Sequence, residues 1–353
     1  MMEQNKIAER FLDFAELECK GSSALYQFLS IKIAGNEELL QLSSYARRGQ
    51  PIPNLLFGAV HQLLLSGNTH ELGNFYPSIT EKPKQVEDSF SSFLDFCRTY
   101  RKEIIATLQE KLVQTNEVRR CAYLYPLFCY IHKKTGRSLS LIEIGTSAGL
   151  QLLWDQYSYS YGGNRCYGNN ASAVHLSSKV RKGSMPELLD STPPVASRVG
   201  VDLHVSDLKD EENALWLKAL IWPEHQERQE TFDKAVKQFS KSPPSLIEGD
   251  GVSMLEELAS QAPSASTLCI FHTHVANQMP RKVKEELQQK VSAIGRKRDV
   301  CHIYNNIYDR KMHVDFFIDG VSYSETMGDT DGHGRWFDWH VKDCSIQGNV
   351  SNK

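Results

Sequence analysis

The sequence predicts an α/β protein: a doubly wound, mostly parallel sheet with an all-helical region before it and an antiparallel hairpin after it. Three observations carry that reading. Beyond Ser138, short β-rich runs alternate with helical stretches, the pattern of parallel strands joined by crossover helices. Residues 1–135 show helical periodicity and no alternating segment. The last β-rich runs follow one another with only a Gly/Asp loop between them. The chain therefore divides into a helical region, 1–135, and an α/β domain, 136–353, with an insertion at about 157–197.

In the helical region, Leu55, Leu56, Ala59, Val60 and Leu63 mark a buried helix. Phe90, Phe93, Leu94, Cys97, Ile104, Leu108 and Leu112 recur at three and four as one amphipathic stripe. Val118, Cys121, Ala122, Tyr125, Phe128 and Cys129 repeat the pattern, with a kink expected at Pro126. Strands are expected at 138–144, 198–203, 245–249, 267–272 and 300–305. Between them, Pro223 and Pro280 open helices that carry Phe232, Ala235, Val236 and Phe239, and Val283, Leu287, Val291 and Ile294. Residues 313–325 (HVDFFIDGVSYSE) and 335–341 (RWFDWHV) are expected to pair antiparallel and end the sheet. The Tyr-, Ser-, Gly- and Asn-rich stretch 157–182 is expected to form a hairpin over the sheet's carboxyl edge.

Composition bounds the function. Apolar residues make up 41% and charged residues 24%, ordinary for a globular core. The net charge of −3 is spread evenly: residues 1–135 hold 16 Lys/Arg against 15 Asp/Glu. That argues against nucleic acid as the main partner; a small-molecule substrate is the expectation. The start lacks a basic-then-apolar leader, and the longest stretch free of formal charge, 51–70, has too short an apolar core to span a bilayer. The eight cysteines form no C-x-x-C, and two lie inside an apolar helical pattern. Reduced thiols in a cytoplasmic protein away from membranes are the expectation.

Chemistry concentrates where strands end, because ligands of open parallel sheets bind beyond the carboxyl ends. After the first strand comes Gly145-Thr146-Ser147-Ala148-Gly149, preceded by Glu143 in an otherwise apolar run. Small residues there allow a tight turn and close ligand approach to a following helix N-terminus. The plain alternative is a packing turn. Glu143 through Gly149 resembles the nucleotide-binding loop of the S-adenosylmethionine methyltransferase fold, with Ser147 in place of the middle glycine. That resemblance implies a ribose-binding acid at Asp202 and an adenine-contacting acid at Asp250, next to Gly251. The same five residues read G-x-S-x-G, the nucleophile elbow of serine hydrolases, with Ser147 attacking and Asp202 or Asp250 and His272 or His274 completing a triad. Against that reading, an elbow follows several strands, whereas here helices precede it.

His272 and His274 end the fourth strand and alternate, so one of them is a candidate general base facing a ligand. No third ligand accompanies this H-x-H, and no metal is expected. The loop 328–334 lacks the final glutamate of a calcium loop and reads as a hairpin turn from which His333 can lean into a pocket. The polar cluster 114–120 opens a helix; Asn116, Glu117 and Arg120 are candidates to hold a ligand near the glycine turn.

Together, QTNEVRR (114–120), LIEIGTSAGLQLLWDQYSYSYG (141–162), RVGVDL (198–203), WLKALIWPEHQERQ (216–229) and HGRWFDW (333–339) resemble a bacterial family known as domain of unknown function 2332. The resemblance implies a Rossmann-like, methyltransferase-like fold and no established activity. It makes Asn116, Arg120, Glu143, Ser147, Asp155, Arg198, Asp202, Trp222 and His333 candidate site positions. The resulting expectation is an S-adenosylmethionine-dependent methyltransferase acting on a small molecule. Cofactor contacts are expected from Glu143, Gly145, Thr146, Ser147, Gly149, Asp202, Asp250 and Gly251. A serine hydrolase and a non-catalytic domain that binds a nucleoside or partner are the alternatives.

Overall fold

The computed structural model describes residues 2–114, 117–189 and 191–341. They form two compact units, Met1–Thr115 with Asp207–Asp233, and Asn116–Ser206 with Lys234–Lys353. The first is helical, and each of three helices starts on a side-chain cap. Ser23 accepts from the Tyr26 amide, Asn36 from Leu39 and Asp210 from Glu212. Helix Ile52–Leu65 is its buried centre. A Cβ on Gly58 would stand 3.0 Å from Leu220 and Trp216, so helix Glu211–Ala219 can approach closely. The expected single stripe at 90–112 is broken at Tyr100 into helices Ser89–Thr99 and Arg101–Glu110.

The expected boundary at 135/136 differs from this division. Helix Cys121–Thr135 belongs to the α/β unit. It runs through Pro126, is buried from Cys121 to Ile131, and stacks Phe128 on Trp154 at 4.5 Å. Segment 207–233 belongs to the helical unit instead. A helix buried over three turns needs apolar cover on every side: Phe128 meets Phe271 of the sheet, and Tyr125 stacks on Tyr159 of the 157–182 stretch.

The α/β unit is built on a seven-stranded sheet: β1 (Leu139–Ile144), β2 (Val195–Asp202), β3 (Ser245–Glu248), β4 (Thr267–His272), β5 (Val300–Tyr304), β6 (Met312–Ile318) and β7 (Val321–Gly328). Their spatial order is β7-β6-β5-β4-β1-β2-β3. β1 to β5 are mutually parallel; β6 and β7 are antiparallel additions. Strand order reverses at β1, which lies between β2 and β4 and is buried at every residue. Ile142, Ile144, Leu268 and Ile270 pack on Leu255, Leu287 and Val291, forming one core layer.

Three expectations are corrected. First, the hairpin closes within 312–328: Ile318 faces Val321 across Asp319-Gly320, both at positive φ (50° and 76°). That is the two-residue turn Asp-Gly favours. Residues Trp336–Trp339 pair parallel with Lys179–Gly183 outside the main sheet. They run antiparallel to residues 329–331 through the bridge Thr330–Phe337 and the bonds from the Asp331 amide to the Trp336 carbonyl and from the Asp338 amide to the Asp329 carbonyl. Second, the stretch 157–182 forms a small three-stranded sheet, Ser158–Ser160 flanked by Tyr167–Gly168 and His175–Ser177, before the strand Lys179–Gly183. Third, the glycine turn after β1 leads into a 3-10 segment, Leu150–Gln156, that departs from helical geometry at Leu153. No α-helix N-terminus stands there.

Candidate functional site

The turn at Gly145–Gly149 is tied down by its own chain. Gly145, Ser147 and Gly149 all have positive φ (74°, 53° and 73°). The amides of Gly145 and Thr146 donate to the Val201 carbonyl. A Cβ on Gly145 would lie 2.5 Å from Val275, and one on Gly149 2.7 Å from Leu246. Both glycines thus admit neighbouring side chains. The Ser147 amide donates to Asp202 Oδ2 (2.7 Å) and the His204 amide to Asp202 Oδ1 (3.1 Å). Asp202 is therefore the cap that holds Ser147 in its left-handed conformation. Asp250 accepts the amides of Val252 and Ser253 and the Ser253 hydroxyl, closing its own turn, and Gly251 packs toward Ile144. The nucleophile-elbow geometry, strand–turn–helix, is not formed, and the Asp202 carboxylate faces amides.

Beside this turn, polar side chains converge at the ends of β1 and β4. The Thr146 hydroxyl donates to Glu143 Oε2 (2.6 Å), and Glu143 is 2% exposed. Burial, reinforced by Asp202, pushes its carboxyl up to about 8 although Thr146 and Arg120 pull the other way. Arg120, 8% exposed, sends Nε to the Gly332 carbonyl (2.8 Å) and Nη1 toward Thr273 Oγ1 (3.4 Å). The Thr273 hydroxyl donates to Gln151 Oε1 (3.1 Å). Among the described residues, no carboxylate makes an ion pair with Arg120.

His274 follows directly. It adopts positive φ (66°), and its amide donates to Asn305 Oδ1 (2.7 Å). Its buried Nε2 and the Nδ2 of fully buried Asn305 have no hydrogen-bond partner among the described residues. Burial first, then Arg120 and His333, lower the imidazole to about 4, while Asp331 opposes. His333 Nδ1 meets Glu117 Oε2 at 3.1 Å. Against the push of burial, the Arg335 guanidinium holds Asp331 down at about 2. A Cβ on Gly334 would strike the Arg119 carbonyl at 2.4 Å, so this glycine lets the 331–335 loop lie on residues 119–120.

Of the residues expected at the site, Glu117, Arg120, Glu143, Thr146, His274 and His333 come together. Others do not. His272 faces the other way, fully buried against His302 (5.3 Å between rings) and Tyr304, with both ring nitrogens unpartnered among the described residues. Burial lowers it to about 3, so of the two histidines only His274 stands with the polar cluster. Asp155 and Arg198 form an ion pair (2.6 Å) that ties the 3-10 segment to β2. Trp222 belongs to the helical unit, against Phe14 and Tyr26. Asn116 lies outside the described residues. Sequence reasoning missed Gln151, Thr273 and Asn305. Thr273 and Asn305 each directly follow a strand, a signal that was available.

Among the described residues, no three or more His, Cys, Asp or Glu side chains are grouped to hold a metal, and no helix is long and apolar enough to cross a membrane. Of the described cysteines, Cys166 is exposed and six are buried, and all are free thiols. A family model described as an uncharacterized protein conserved in bacteria (DUF2332) matches residues 8–339, and the chain belongs to that family. No curated protein and no solved structure matches it.

Proposed function

For this member of that family, we propose a Rossmann-like enzyme that acts on a small molecule by general acid–base chemistry at the carboxyl ends of β1 and β4. The strand order β3-β2-β1-β4-β5 is that of doubly wound nucleotide-binding sheets, whose ligands sit where the order reverses. One observation carries the reading: Arg120, Glu143, Gln151, Thr273 and Asn305 are nearly or wholly buried together at that reversal. Burying polar groups costs about 1–3 kcal/mol each where partners are incomplete, so packing alone gives no reason for them. Glu143 is a carboxyl kept neutral at pH 7 that can donate a proton. His274, neutral there, keeps a lone pair on one ring nitrogen, and its Nε2 has no partner among the described residues.

Methyl transfer from S-adenosylmethionine is the second reading. It is favoured by the strand order and by Asp202, an acid ending β2 one hydrogen bond from the glycine turn. The turn does not fit the nucleoside as it stands, because Asp202 is engaged by two amides and the glycine spaces hold Val275 and Leu246. No step is assigned to that cofactor.

Dialysis against a bacterial metabolite extract, followed by mass spectrometry, tests the first reading. The wild type retains a small molecule that Thr273→Val loses; retention of nothing, or equal retention by both, overturns it. Calorimetry with S-adenosylmethionine and S-adenosylhomocysteine tests the second. Heat abolished by Asp202→Ala supports a nucleoside site, and absence of heat removes it.

A further inference from the structure

Arg120 is a guanidinium with more than nine-tenths of its surface buried and no ion-pair partner among the described residues. A buried charge is normally paired, because desolvating it costs several kcal/mol. Its Nε and Nη1 are held by Gly332 and Thr273, which fixes the plane of the fork. The carboxylates near it meet other groups: Glu143 accepts from the Thr146 hydroxyl, Asp331 is bidentate with Arg335, and Glu117 meets His333. The buried guanidinium therefore stands without a direct ion pair, in a wall that also holds Asn305 Nδ2 and His274 Nε2, neither with a hydrogen-bond partner among the described residues.

Resting on the site proposed above, we infer that Arg120 binds a carboxylate of the small-molecule substrate and that His274 faces the reacting end. A carboxylate fits better than a phosphate. A single planar fork matches two coplanar oxygens and one negative charge. A phosphate dianion would require a second cation or an array of free amides, and the amides of Gly145, Thr146, Ser147 and Gly149 are all engaged within the chain. Binding also prepares the base. Arg120 and His333 disfavour protonated His274 while Asp331 favours it, so neutralising Arg120 raises the imidazole's affinity for a proton when the substrate is in place.

Calorimetry and thermal shift on the full chain test this with acetate, lactate, pyruvate, glycine and succinate, against inorganic phosphate at equal ionic strength. At least one carboxylate binds the wild type and phosphate does not. Arg120→Gln weakens that binding by about 30-fold or more, and Arg120→Lys, which keeps the charge, by roughly 10-fold. NMR titration of wild-type His274 moves to higher pH with the carboxylate bound, a readout that needs no variant. If no carboxylate binds, if phosphate binds as well, or if His274 does not move, the inference falls. Repeating the titration with saturating S-adenosylhomocysteine separates the readings. Undiminished carboxylate binding places it on the substrate; loss of binding assigns Arg120 to the nucleoside's own carboxylate and overturns the substrate assignment. Binding of the nucleoside with no carboxylate response leaves the site standing and removes this inference alone.

Discussion

Two buried residues with opposite shifts each add a share to the pH response. His272 has a folded-state pKa of about 3 against about 6.5 when unfolded. A depressed folded pKa gives stability that is full above pH 6.5 and is lost as pH falls toward 3. Between pH 6.5 and 5 the wild type should lose about 2 kcal/mol through this residue, and His272→Leu should not show that share. Urea midpoints at the two pH values measure it; equal slopes for both proteins would refute it. Glu143 works the other way. Its folded pKa of about 8 exceeds its unfolded value, so its contribution is present below about pH 4.5 and lost as pH rises toward 8. Glu143→Gln should therefore gain stability on the wild type steadily over that range. Thr146→Val, which removes the hydroxyl bonded to Glu143, should cost about 1–3 kcal/mol near pH 6 by denaturant titration.

At the scale of elements, two turns carry the architecture. The Asp319-Gly320 turn sets the β6–β7 register, and nothing lies within 4 Å of a Cβ on Gly320. Gly320→Ala should therefore cost only its positive φ, about 1–2 kcal/mol. Gly334→Ala meets both a positive φ (71°) and the Arg119 carbonyl at 2.4 Å, so it should cost more and displace the 331–335 loop. A carboxylate that binds the wild type should bind Gly334→Ala more weakly, whereas Gly320→Ala should bind it normally. Calorimetry on the two variants decides, and indistinguishable affinities would detach this loop from the site. The sequence reads 328–334 as a hairpin turn but passes over Asp319-Gly320 inside the run 313–325, although Asp-Gly between β-rich runs marks a hairpin. The pairing was misassigned because the run 335–341 alternates as well as its neighbours do, and alternation does not name a partner.

For the whole molecule, the helical unit is made of two chain segments. Trp216 Nε1 donates to the Leu112 carbonyl (2.8 Å), and Glu224 accepts from Ser23 and from the Leu25 amide. A fragment cut at 135 would lose that second segment and carry helix Cys121–Thr135 without the sheet that covers it. The fragment 1–135 should therefore show no cooperative thermal transition by circular dichroism. A sharp transition would show that the helical region folds without 207–233.

Sequence alone determined the α/β class, the places of the five parallel strands and the glycine turn, and it named Glu143, Arg120 and His333 as candidates. Strand periodicity and acids in apolar runs are local signals, visible without a partner. Only the tertiary structure decided which of those residues meet. It turned His272 into the core, engaged Asp202 and Asp250 with backbone amides, and laid the 331–335 loop on residues 119–120. Those outcomes depend on which donors lie nearby once strands distant in sequence are side by side, and composition and spacing do not encode that distance.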